Sequence, residues 1–555
     1  MPPRGRVNLR CLAIGLVASA AFIPFGASGS VSADDVAPSR SRVLSQSTQP
    51  VSVNPVQAKD FRPAVKMSAA EAEAIRERLH ANREKLAASV PQKNIEAPRT
   101  PAAAASHVRK GTRAPGTLVI GRNNKNTVAN TNTCGTGSTL AEPAAANEGP
   151  HVFASGNLSH QEFSTNGGAT WNCASAFPAG PAEAPIPWGD TDVVYDHSRS
   201  VTFHSVMYLN SSATNGVVRV FVRRSIPAAD NCSYTLDFDP SATNVIPDYP
   251  HLGLSNDFLY VSANRVSPTA WLGASLRRLN LDQMASCVGA SGSSVNFTNA
   301  GGQRVLVPGH GARDVMYFSW VNTPTQWRVF SWADNSASVL STFVNVASMT
   351  FGDADCRGGA NNTDWSSPLA TGIVGFNVRT SIGNDHVNVW VPTANDASHP
   401  HAYVRGARFR VGSSQSALSL VQQPEIWFTD QCAGTSTTGV NDRGDEGLAI
   451  ALGGRKGGGG PAVATAITMK DQFSPGPGGF SFTTVAAATH NPTNNRFGDY
   501  FTVRRQAPCG EFFTTTGYGL LNGTAVANVN SRYVEFGRGR DEPCYLAWRN
   551  SVPAA

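Results

Sequence analysis

The sequence predicts an all-β protein built as a β-propeller, and three observations support this fold class. From about Gly116 onward, short β-prone runs alternate with Gly, Asn, Pro, Ser and Asp. Apolar residues alternate in runs such as DVVYD, FLYVSANRV and HVNVWVPT, which is typical of half-buried strands joined by tight turns. The segment 116–555 is too long for one ordinary sandwich. Radial repetition of sheets is therefore the economical solution.

Related strand openings recur along this segment at irregular intervals of about 60 residues, which suits a four-stranded unit with long loops. We expect six such units, with seven as the alternative. We also expect the first and last segments of the domain to pair in one sheet, because a closed ring leaves no exposed sheet edges. The openings lie near Gly189, Asp248, His310, Thr371, Asp445 and Gly498.

The amino terminus has the three-part order of a secretory signal peptide. Three arginines precede the apolar stretch 11–25, and the small-residue run GASGSVSA follows it, which predicts a signal peptide over 1–33 with cleavage after Ala33. A membrane anchor is the alternative, but Pro24 and Gly26 interrupt the apolar stretch and leave it short for a span. We therefore expect a secreted protein, extracellular or periplasmic, without membrane insertion.

Residues 34–115 are rich in Ala, Pro, Ser and charge, so they lack the apolar surface needed to fold alone. Within them, Ser68 and Glu71 form a capping box that opens a predicted amphipathic helix over about 68–88. Two interpretations remain open: a flexible linker with an isolated helix, or a pro-segment that docks on the domain and is later removed. The apolar face of the helix consists of Ala72, Ile75, Leu79 and Leu86.

Eight cysteines remain once Cys11 leaves with the signal peptide. An even number in an oxidising compartment predicts four disulfides. A zinc site is the alternative, but no two cysteines have a CxxC or CxxxxC spacing. Eight cysteines allow 105 connectivities. Pairing of neighbours would brace individual units: Cys134 with Cys173, Cys232 with Cys287, Cys356 with Cys432, and Cys509 with Cys544.

The net charge of +6 is unevenly distributed along the chain. Residues 1–115 carry a net charge of +9, and the remainder carries −3. A slightly acidic folded region argues against a broad phosphate-binding face. We therefore expect no nucleic-acid partner, and we expect a monomer.

The segment STNGGATW (164–171) resembles the Asp-box, or BNR repeat, of sialidase-like β-propellers, whose pattern is Ser-x-Asp-x-Gly-x-Thr-Trp. Asn166 stands where that family has Asp, and Asn can form the same Asx-turn with the backbone. The resemblance implies a sialidase-like propeller. It says little about the reaction, because the box is architectural in that family. The matching positions are Ser164, Asn166, Gly168, Thr170 and Trp171.

The resemblance also implies what a sialidase site needs: three arginines that clamp a carboxylate, a Tyr–Glu pair and an acid or base Asp. The family's opening Phe/Tyr-Arg-Ile-Pro motif is absent, since the matching region reads GTLVIGRNN. No arginine lies in a recognisable signature, so no triad can be assigned and exo-sialidase activity is only an alternative. The candidates are Arg122, Arg265, Arg313, Arg379, Arg405, Arg496 and Arg504.

Polar residues at the openings of successive units form the candidate site, because a radial fold brings such openings together around one axis. Tyr or His could move a proton next to a uronate carboxylate in a polysaccharide lyase, with Arg neutralising that carboxylate. The alternative for each residue is a hydrogen-bonded structural role. The group consists of Tyr249, His251, His310, Arg313, Arg496, Asp499 and Tyr500.

The working hypothesis is that this protein binds or processes a glycan or similar polymer at its central face. The summed charge of the group suits an anionic sugar. A non-catalytic adhesion or protein-interaction module is the alternative, since Trp and Tyr residues on propeller loops can stack on sugar rings.

No cofactor is expected to be required, although a structural Ca²⁺ is conceivable. His399 and His401 lie two apart, with His386 upstream, and the acidic turn 441–447 offers oxygen donors. Turn-stabilising Asp residues are the alternative, because neither acidic segment has the EF-hand spacing. A second group of oxygen donors lies in GDTDVVYD: Asp190, Asp192 and Asp196.

Overall fold

The computed structural model describes the chain from residue 43 to residue 552 with gaps. The described ranges are 43–63, the single positions 71, 74, 75, 78 and 134, and then 114–126, 138–157, 160–174, 176–224, 230–239, 244–298, 305–352, 354–366, 378–474 and 480–552. The predicted signal peptide and the whole segment 79–113 lie outside these ranges.

The described residues form seven antiparallel sheets of four or five strands. We number them I to VII in chain order of the strand that is named first for each sheet below, and we call that strand the first strand of its sheet. Sheet I consists of Ala144–Glu148, His151–Gly156, His160–Ser164 and Asn172–Cys173. Sheet II consists of Ile186–Asp196, Val201–Leu209, Gly216–Arg223 and Cys232–Leu236, with Pro55–Gln57 at its outer edge. Sheet III consists of Ile246–Leu254, Phe258–Val266, Trp271–Asn280 and Ala290–Thr298, with Gln49–Val53 outermost.

The remaining four sheets follow the same plan. Sheet IV consists of Val315–Thr323, Gln326–Ala333 and Ser338–Asn345, with Val43–Ser47 outermost. Sheet V consists of Arg379–Ile382, His386–Thr393, Tyr403–Val411, Leu418–Gln422 and Glu425–Ile426. Sheet VI consists of Cys432–Val440, Glu446–Gly453, Ala464–Lys470 and Thr483–Thr484. Sheet VII consists of Val503–Arg505, Phe513–Gly517, Arg532–Arg538 and Leu118–Lys125.

A few short elements complete the described part of the chain. A three-stranded ribbon joins Cys356–Gly358, Thr363–Asp364 and Arg455–Lys456. The α-helices are Leu281–Ala285 and Glu542–Ser551, and the 3₁₀ turns are Ala58–Asp60, Val526–Asn528 and Gly539–Asp541. Glu542–Ser551 was not predicted, because its ten residues are fewer than the dozen over which an amphipathic pattern becomes clear.

The first strand of sheet II packs against those of sheets I and III, the first strand of sheet V against those of sheets IV and VI, and that of sheet VI against that of sheet VII. Phe513–Gly517 of sheet VII in turn packs against the first strand of sheet I. The backbone N–H of Ala145 in sheet I donates to Thr502 Oγ1 beside sheet VII at 3.0 Å. The side chain of Asn147 in sheet I donates to the carbonyl of Ala507 at 2.6 Å. The sequence analysis preferred six units and allowed seven, and the described residues contain seven sheets.

The expected pairing of the first and last domain segments is confirmed. Leu118–Lys125 forms the outer strand of sheet VII and pairs antiparallel with Arg532–Arg538. One sheet therefore holds both ends of the domain, as closure of a ring of sheets requires.

The predicted strands form because their apolar residues are covered on both sheet faces. His386–Thr393 coincides with the run HVNVWVPT, and each of its residues is buried. The main apolar cores lie between sheets, where aromatic rings pack closely: the ring of Phe297 in sheet III meets that of Phe330 in sheet IV edge to face, with centroids 5.0 Å apart. These contacts join residues of different sheets and fix how each sheet is placed against the next.

The segment 164–171 forms the Asx-turn that its sequence predicts. Asn166 Oδ1 accepts the backbone N–H groups of Ala169 and Thr170 at 3.1 and 2.9 Å. Ser164 Oγ accepts the N–H of Gly168 at 2.8 Å, and Gly168 has the left-handed φ of 81° that favours glycine. Asn therefore makes the bonds that an Asp would make at this position.

The amino-terminal segment contains strands that the sequence did not predict, in addition to the predicted helix. Residues 43–57 form three short strands that add in turn to the outer edges of sheets IV, III and II. Their side chains are only half-buried, so backbone pairing holds them more than a core does. This pairing needs no apolar pattern, which is why composition alone did not indicate it. The described positions of the predicted helix 68–88 are helical: Glu71, Ala74, Ile75 and Arg78.

Four disulfides are present, which confirms the predicted number. They join neighbouring cysteines along the chain: Cys134 with Cys173, Cys232 with Cys287, Cys356 with Cys432, and Cys509 with Cys544. Within the ranges that the structure covers, none of the helices has the length and apolar character of a membrane span.

Candidate functional site

Polar and aromatic side chains from several sheets meet between the first strands in what we call the central cluster. Six of the seven residues proposed from the sequence belong to it, and Arg313 does not. Arg313 is exposed and donates to the side chain of Asn384 at 3.3 Å. The central cluster consists of Glu142, Asn157, Asp190, Asp192, Tyr249, His251, His310, Arg379, Arg496, Asp499, Tyr500 and Arg504.

Asp192 is the most heavily bonded carboxylate of the cluster. It lies on the first strand of sheet II and is 1% exposed. One oxygen accepts from Arg504, and the other accepts the N–H of Leu252 at 2.9 Å and faces His251 Nδ1 at 3.4 Å. Burial opposes its ionisation, but Arg504 and then His251 outweigh burial and hold the pKa of Asp192 below its usual range.

His251 connects Asp192 to Arg379. Its Nε2 accepts from Arg379 Nη1 at 3.3 Å, which leaves Nδ1 to carry the proton and donate to Asp192. Burial, and then the charge of Arg379, lower the pKa of His251 to about 4. The imidazole is therefore neutral at physiological pH, with its tautomer fixed by its two partners.

His310 lies on the other side of Asp192, next to Arg504. Arg504 Nη1 donates to His310 Nε2 at 2.9 Å. Burial and the charge of Arg504 lower the pKa of His310 well below its usual value. The His310 backbone bonds to that of sheet V, where Ile382 N–H donates to its carbonyl at 2.8 Å. His310 is half-buried, so it is one of the members of the cluster that reach solvent.

The residues bonded around Asp192 form what we call the first level of the cluster. Glu142 forms a second level with Asn157, Asp190, Asp499 and Arg496. Glu142 Oε1 accepts the N–H of Asp499 at 2.7 Å, and its other oxygen accepts from Asn157. Asn157 Oδ1 in turn accepts the N–H of Asp190 at 2.8 Å, while Arg496 pairs with Asp499. Burial, and then the nearby charges of Asp499 and Asp190, raise the pKa of Glu142 to about 8.

Tyr249 bonds to both levels, and Tyr500 packs on Tyr249 and His251. Arg379 Nη2 donates to Tyr249 Oη at 2.5 Å, and Tyr249 Oη donates to the carbonyl of Asp499 at 3.2 Å. The ring of Tyr500 meets that of His251 edge to face, with centroids 5.1 Å apart. Burial raises the pKa of both phenols above their usual value, so both are protonated at neutral pH.

The backbone at the second level is strained. Glu142, Asp190 and Tyr249 have φ angles of 38°, 46° and 59°, in the left-handed region that favours glycine. At Tyr249 the strain accompanies a β-bulge between Asp248 and His251. Such conformations persist only where the surroundings determine them, and they concentrate at functional sites.

The expectation of an anionic sugar rested on the charge of the residues named from the sequence alone. The structure adds Glu142, Asp190 and Asp192 to that group. At neutral pH the positive charges of Arg379, Arg496 and Arg504 face three carboxylates, because the raised pKa of Glu142 keeps it protonated and both histidines are neutral. The central cluster is therefore close to neutral, and its charge does not favour an anionic ligand.

The structure brings three of the seven candidate arginines together, but not as an open clamp. Arg504 and Arg496 already hold Asp192 and Asp499. The hydrogen bonds of Arg379 go to Tyr249, His251 and the carbonyls of Ser436 and Asp499. The other four lie elsewhere: Arg122 against Glu535, Arg265 against Asp239, Arg405 against Glu425, and Arg313 at the surface.

The residues considered for a metal have protein partners. His399 lies between Asp396, at 2.8 Å, and Glu425, at 3.2 Å. His401 Nδ1 accepts the N–H of Lys456 at 3.1 Å, and His386 contacts Asp385. In the acidic turn 441–447, Asp445 pairs with Arg443 and Arg540. In the ranges that the structure describes, no group of three or more His, Cys, Asp or Glu could hold a metal ion.

Sequence reasoning missed Glu142 and Asn157 as members of the cluster and considered Asp190 and Asp192 only for calcium. The two aspartates could have been predicted, because GDTDVVYD lies at the opening of a unit, as do the segments that contain the residues named from the sequence. Glu142 precedes sheet I in a stretch, AEPAAANEG, without strand alternation. Nothing in that stretch distinguishes it from an exposed loop.

Comparison with known proteins gives structural neighbours only. No family model matches the chain, and no curated protein matches it in sequence. Similar solved structures include the sialidase of Trypanosoma rangeli, at 7% identity, covering 68% of this chain and 58% of that one with a TM-score of 0.35. The α-L-arabinanase of Penicillium chrysogenum has 8% identity, with 72% and 93% covered and a TM-score of 0.37.

A protein of unknown function from Dyadobacter fermentans has 8% identity, with 63% and 94% covered and a TM-score of 0.38. Sialidases are thus among the neighbours, as the segment 164–171 suggested. At these identities and TM-scores, the likeness extends to no reaction or substrate.

Proposed function

We propose that this chain is a secreted seven-bladed β-propeller that binds a neutral glycan at the second level of its central cluster. The seven sheets are its blades, and Leu118–Lys125 closes the ring in sheet VII. The observation that carries the proposal is the convergence there of hydrogen-bonding groups from Glu142, Asp190, Asp499 and Arg496 on a strained backbone, within a cluster whose carboxylates offset its arginines.

A neutral glycan fits this chemistry because sugar hydroxyls both donate and accept hydrogen bonds. Carboxylates, guanidinium groups and amides can serve them without a net charge that needs an ionic partner. Arg496 and Asn157 are half-buried and give this level its contact with solvent.

A second candidate is glycoside hydrolysis, and one observation favours it. Glu142 is a protonated acid at neutral pH, and Asp499 beside it is paired with Arg496. A proton donor next to an ionised carboxylate is the arrangement that glycosidases use. Binding is the better supported function, because Glu142 is 3% exposed and both of its oxygens already have protein partners.

A protein-interaction module has less support in the described part of the chain. Its large exposed apolar side chains come from six different segments of the chain, whereas a docking surface needs a contiguous apolar patch. They are Val43, Val56, Val288, Val421, Phe473 and Leu546.

The deciding experiment is a screen of neutral polysaccharides, uronate polymers and sialosides for binding and for product release. We expect binding to a neutral polysaccharide, weakened about tenfold or more in Arg496→Gln, since one charge-assisted hydrogen bond is worth about 1.5–3 kcal/mol. Arg313→Gln is the matched control, because Arg313 lies at the surface outside the central cluster.

Product release that is lost in Glu142→Gln would show that the hydrolytic candidate is right. Equal binding by wild type and Arg496→Gln would show that the ligand does not contact this level. Preference for sialosides or uronate polymers would show that charge balance does not select the ligand.

A further inference from the structure

The amino-terminal segment is attached to the domain at a series of points that lead toward the central cluster. After the strands that extend sheets IV, III and II, Phe61 packs edge to face on Phe221, with ring centroids 6.0 Å apart. Arg219 lies over the ring of Phe61 at 5.5 Å. The next described attachment is Ile75, on the predicted helix.

Among the four described positions of this helix, Ile75 is buried, with 2% of its surface exposed, whereas Glu71, Ala74 and Arg78 are exposed. One side chain therefore anchors the described part of the helix. Its apolar cluster lies where sheets II and III begin and contains Ile186, Trp188, Met207, Leu209, Ala213 and Ile246.

Trp188 links this apolar cluster to the proposed glycan site. It is 7% exposed and lies two residues before Asp190 on the first strand of sheet II. Asp190 belongs to the second level, through its bond to Asn157 and its acceptance of the Tyr249 N–H at 3.1 Å. An apolar side chain of the amino-terminal helix thus shares a buried cluster with a large aromatic ring, two residues from a group of sugar-compatible polar side chains.

We infer that Ile75 occludes a sugar-binding subsite, and that release of the amino-terminal segment exposes Trp188 as the surface on which a sugar ring stacks. The inference rests on the proposed function. The CH groups of a sugar ring form an apolar face that packs on an indole, while its hydroxyls point toward polar neighbours such as Asp190. In this inference, the aliphatic side chain of Ile75 packs where the apolar face of the sugar ring would pack. The occluded chain is therefore the weak binder, and the opened chain is the tight binder.

The test compares four full-length proteins: wild type, Ile75→Asp, Ala74→Asp and the double variant Ile75→Asp/Trp188→Leu. Ala74→Asp is the matched control, because it adds the same charge to the same helix at an exposed position. Leu keeps apolar volume at position 188 and removes the ring. Circular dichroism melting checks that each variant is folded.

The first measurement needs no ligand: acrylamide quenching of tryptophan fluorescence and protease cleavage of the amino-terminal segment. We expect both to increase in Ile75→Asp, and the quenching increase to disappear in the double variant. Quenching and cleavage equal to those of Ala74→Asp would overturn the occlusion.

The second measurement is calorimetric binding of neutral hexasaccharides of glucose, arabinose and galactose. We expect Kd to fall about tenfold in Ile75→Asp relative to wild type and Ala74→Asp, and the gain to be lost without Trp188. An unchanged Kd in an opened Ile75→Asp protein, or a gain that survives Trp188→Leu, would overturn the subsite. Absence of binding in all four proteins would reject the proposed function itself, while quenching and cleavage still decide whether Ile75 covers Trp188.

Discussion

The central cluster and the turn at 164–171 are both networks of buried polar groups, yet they are assembled differently. In the turn, Asn166 bonds to groups no more than four residues away. In the cluster, Asp192 and Arg504 are 312 residues apart, and Arg379 and Tyr249 are 130 residues apart. A short motif can specify the first network, whereas the second exists only once several sheets are in place.

The same comparison explains why neighbouring carboxylates in the cluster have opposite pKa shifts. Asp192 and Glu142 are both buried, and burial alone raises a carboxyl pKa. Arg504 and His251 face Asp192, whereas Glu142 faces the carboxylates Asp499 and Asp190. The partners that distant sheets bring therefore decide which group is ionised.

The largest effect is expected from breaking the long-range network at its centre. Asp192→Asn leaves Arg504 buried without its counter-charge, which should reduce the free energy of unfolding by about 3–5 kcal/mol. Urea unfolding of the wild type and the variant at neutral pH measures this loss of unfolding free energy. Asp282→Asn is the control, because it also removes an Asp from an arginine pair but the Asp282 side chain is 77% exposed, so we expect a loss of about 1 kcal/mol or less. Similar losses in the two variants would show that the cluster is no more coupled than a surface pair.

An intermediate effect is expected from pH, through Glu142. Its folded-state pKa of about 8 lies above the ordinary value of 4.5, so the folded protein binds more protons than the unfolded chain between these values. The free energy of unfolding contributed by this group should therefore decrease as pH rises from about 4.5 to 8. Asp192 has the opposite sign: its contribution is present above the ordinary carboxyl pKa and is lost as pH falls below it.

Denaturant unfolding between pH 5 and pH 8.5 checks the Glu142 contribution. Glu142→Gln should flatten the slope between about pH 5 and 8, whereas Glu183→Gln, at an exposed position, should leave it unchanged. A slope that persists in Glu142→Gln would place the titrating group elsewhere.

The smallest effect is expected from the local network. Asn166→Ala removes the acceptor of two backbone N–H groups and should cost about 1 kcal/mol. Asn166→Asp should be near wild type, because a carboxylate accepts the same N–H groups and Thr170 can donate to it in place of accepting. Thermal unfolding measures both, with exposed Asn172→Ala as the control. A loss in Asn166→Asp as large as that in Asn166→Ala would contradict the Asx-turn interpretation.

Much of the fold was readable because strands and turns leave local patterns. HVNVWVPT and FLYVSANRV became strands of sheets V and III with the predicted bounds. The strands at 43–57 left no such pattern, because they pair through the backbone with half-exposed side chains. Edge pairing depends on an available sheet edge, and this information resides in another part of the chain.

The members of the candidate site could be predicted only from their positions at the openings of the predicted units. Placing polar residues at unit openings brought Tyr249, His251 and Asp499 into one group, and the structure joins them through Arg379 and the Tyr249 hydroxyl. The same reasoning included Arg313, which lies at the surface, and omitted Glu142. Position along a strand predicts proximity to the axis, but it does not tell whether a side chain points toward that axis.

The sequence by itself determined the all-β class, the turn at Asn166 and the four-disulfide count, because alternation, turn chemistry and cysteine parity are local or compositional properties. Only the tertiary structure decided the seven sheets, the neighbour pairing of the cysteines and the charge balance around Arg379, Arg496 and Arg504. The physical reason is that a buried charge is set by partners within a few ångströms. Here those partners come from strands that are hundreds of residues apart.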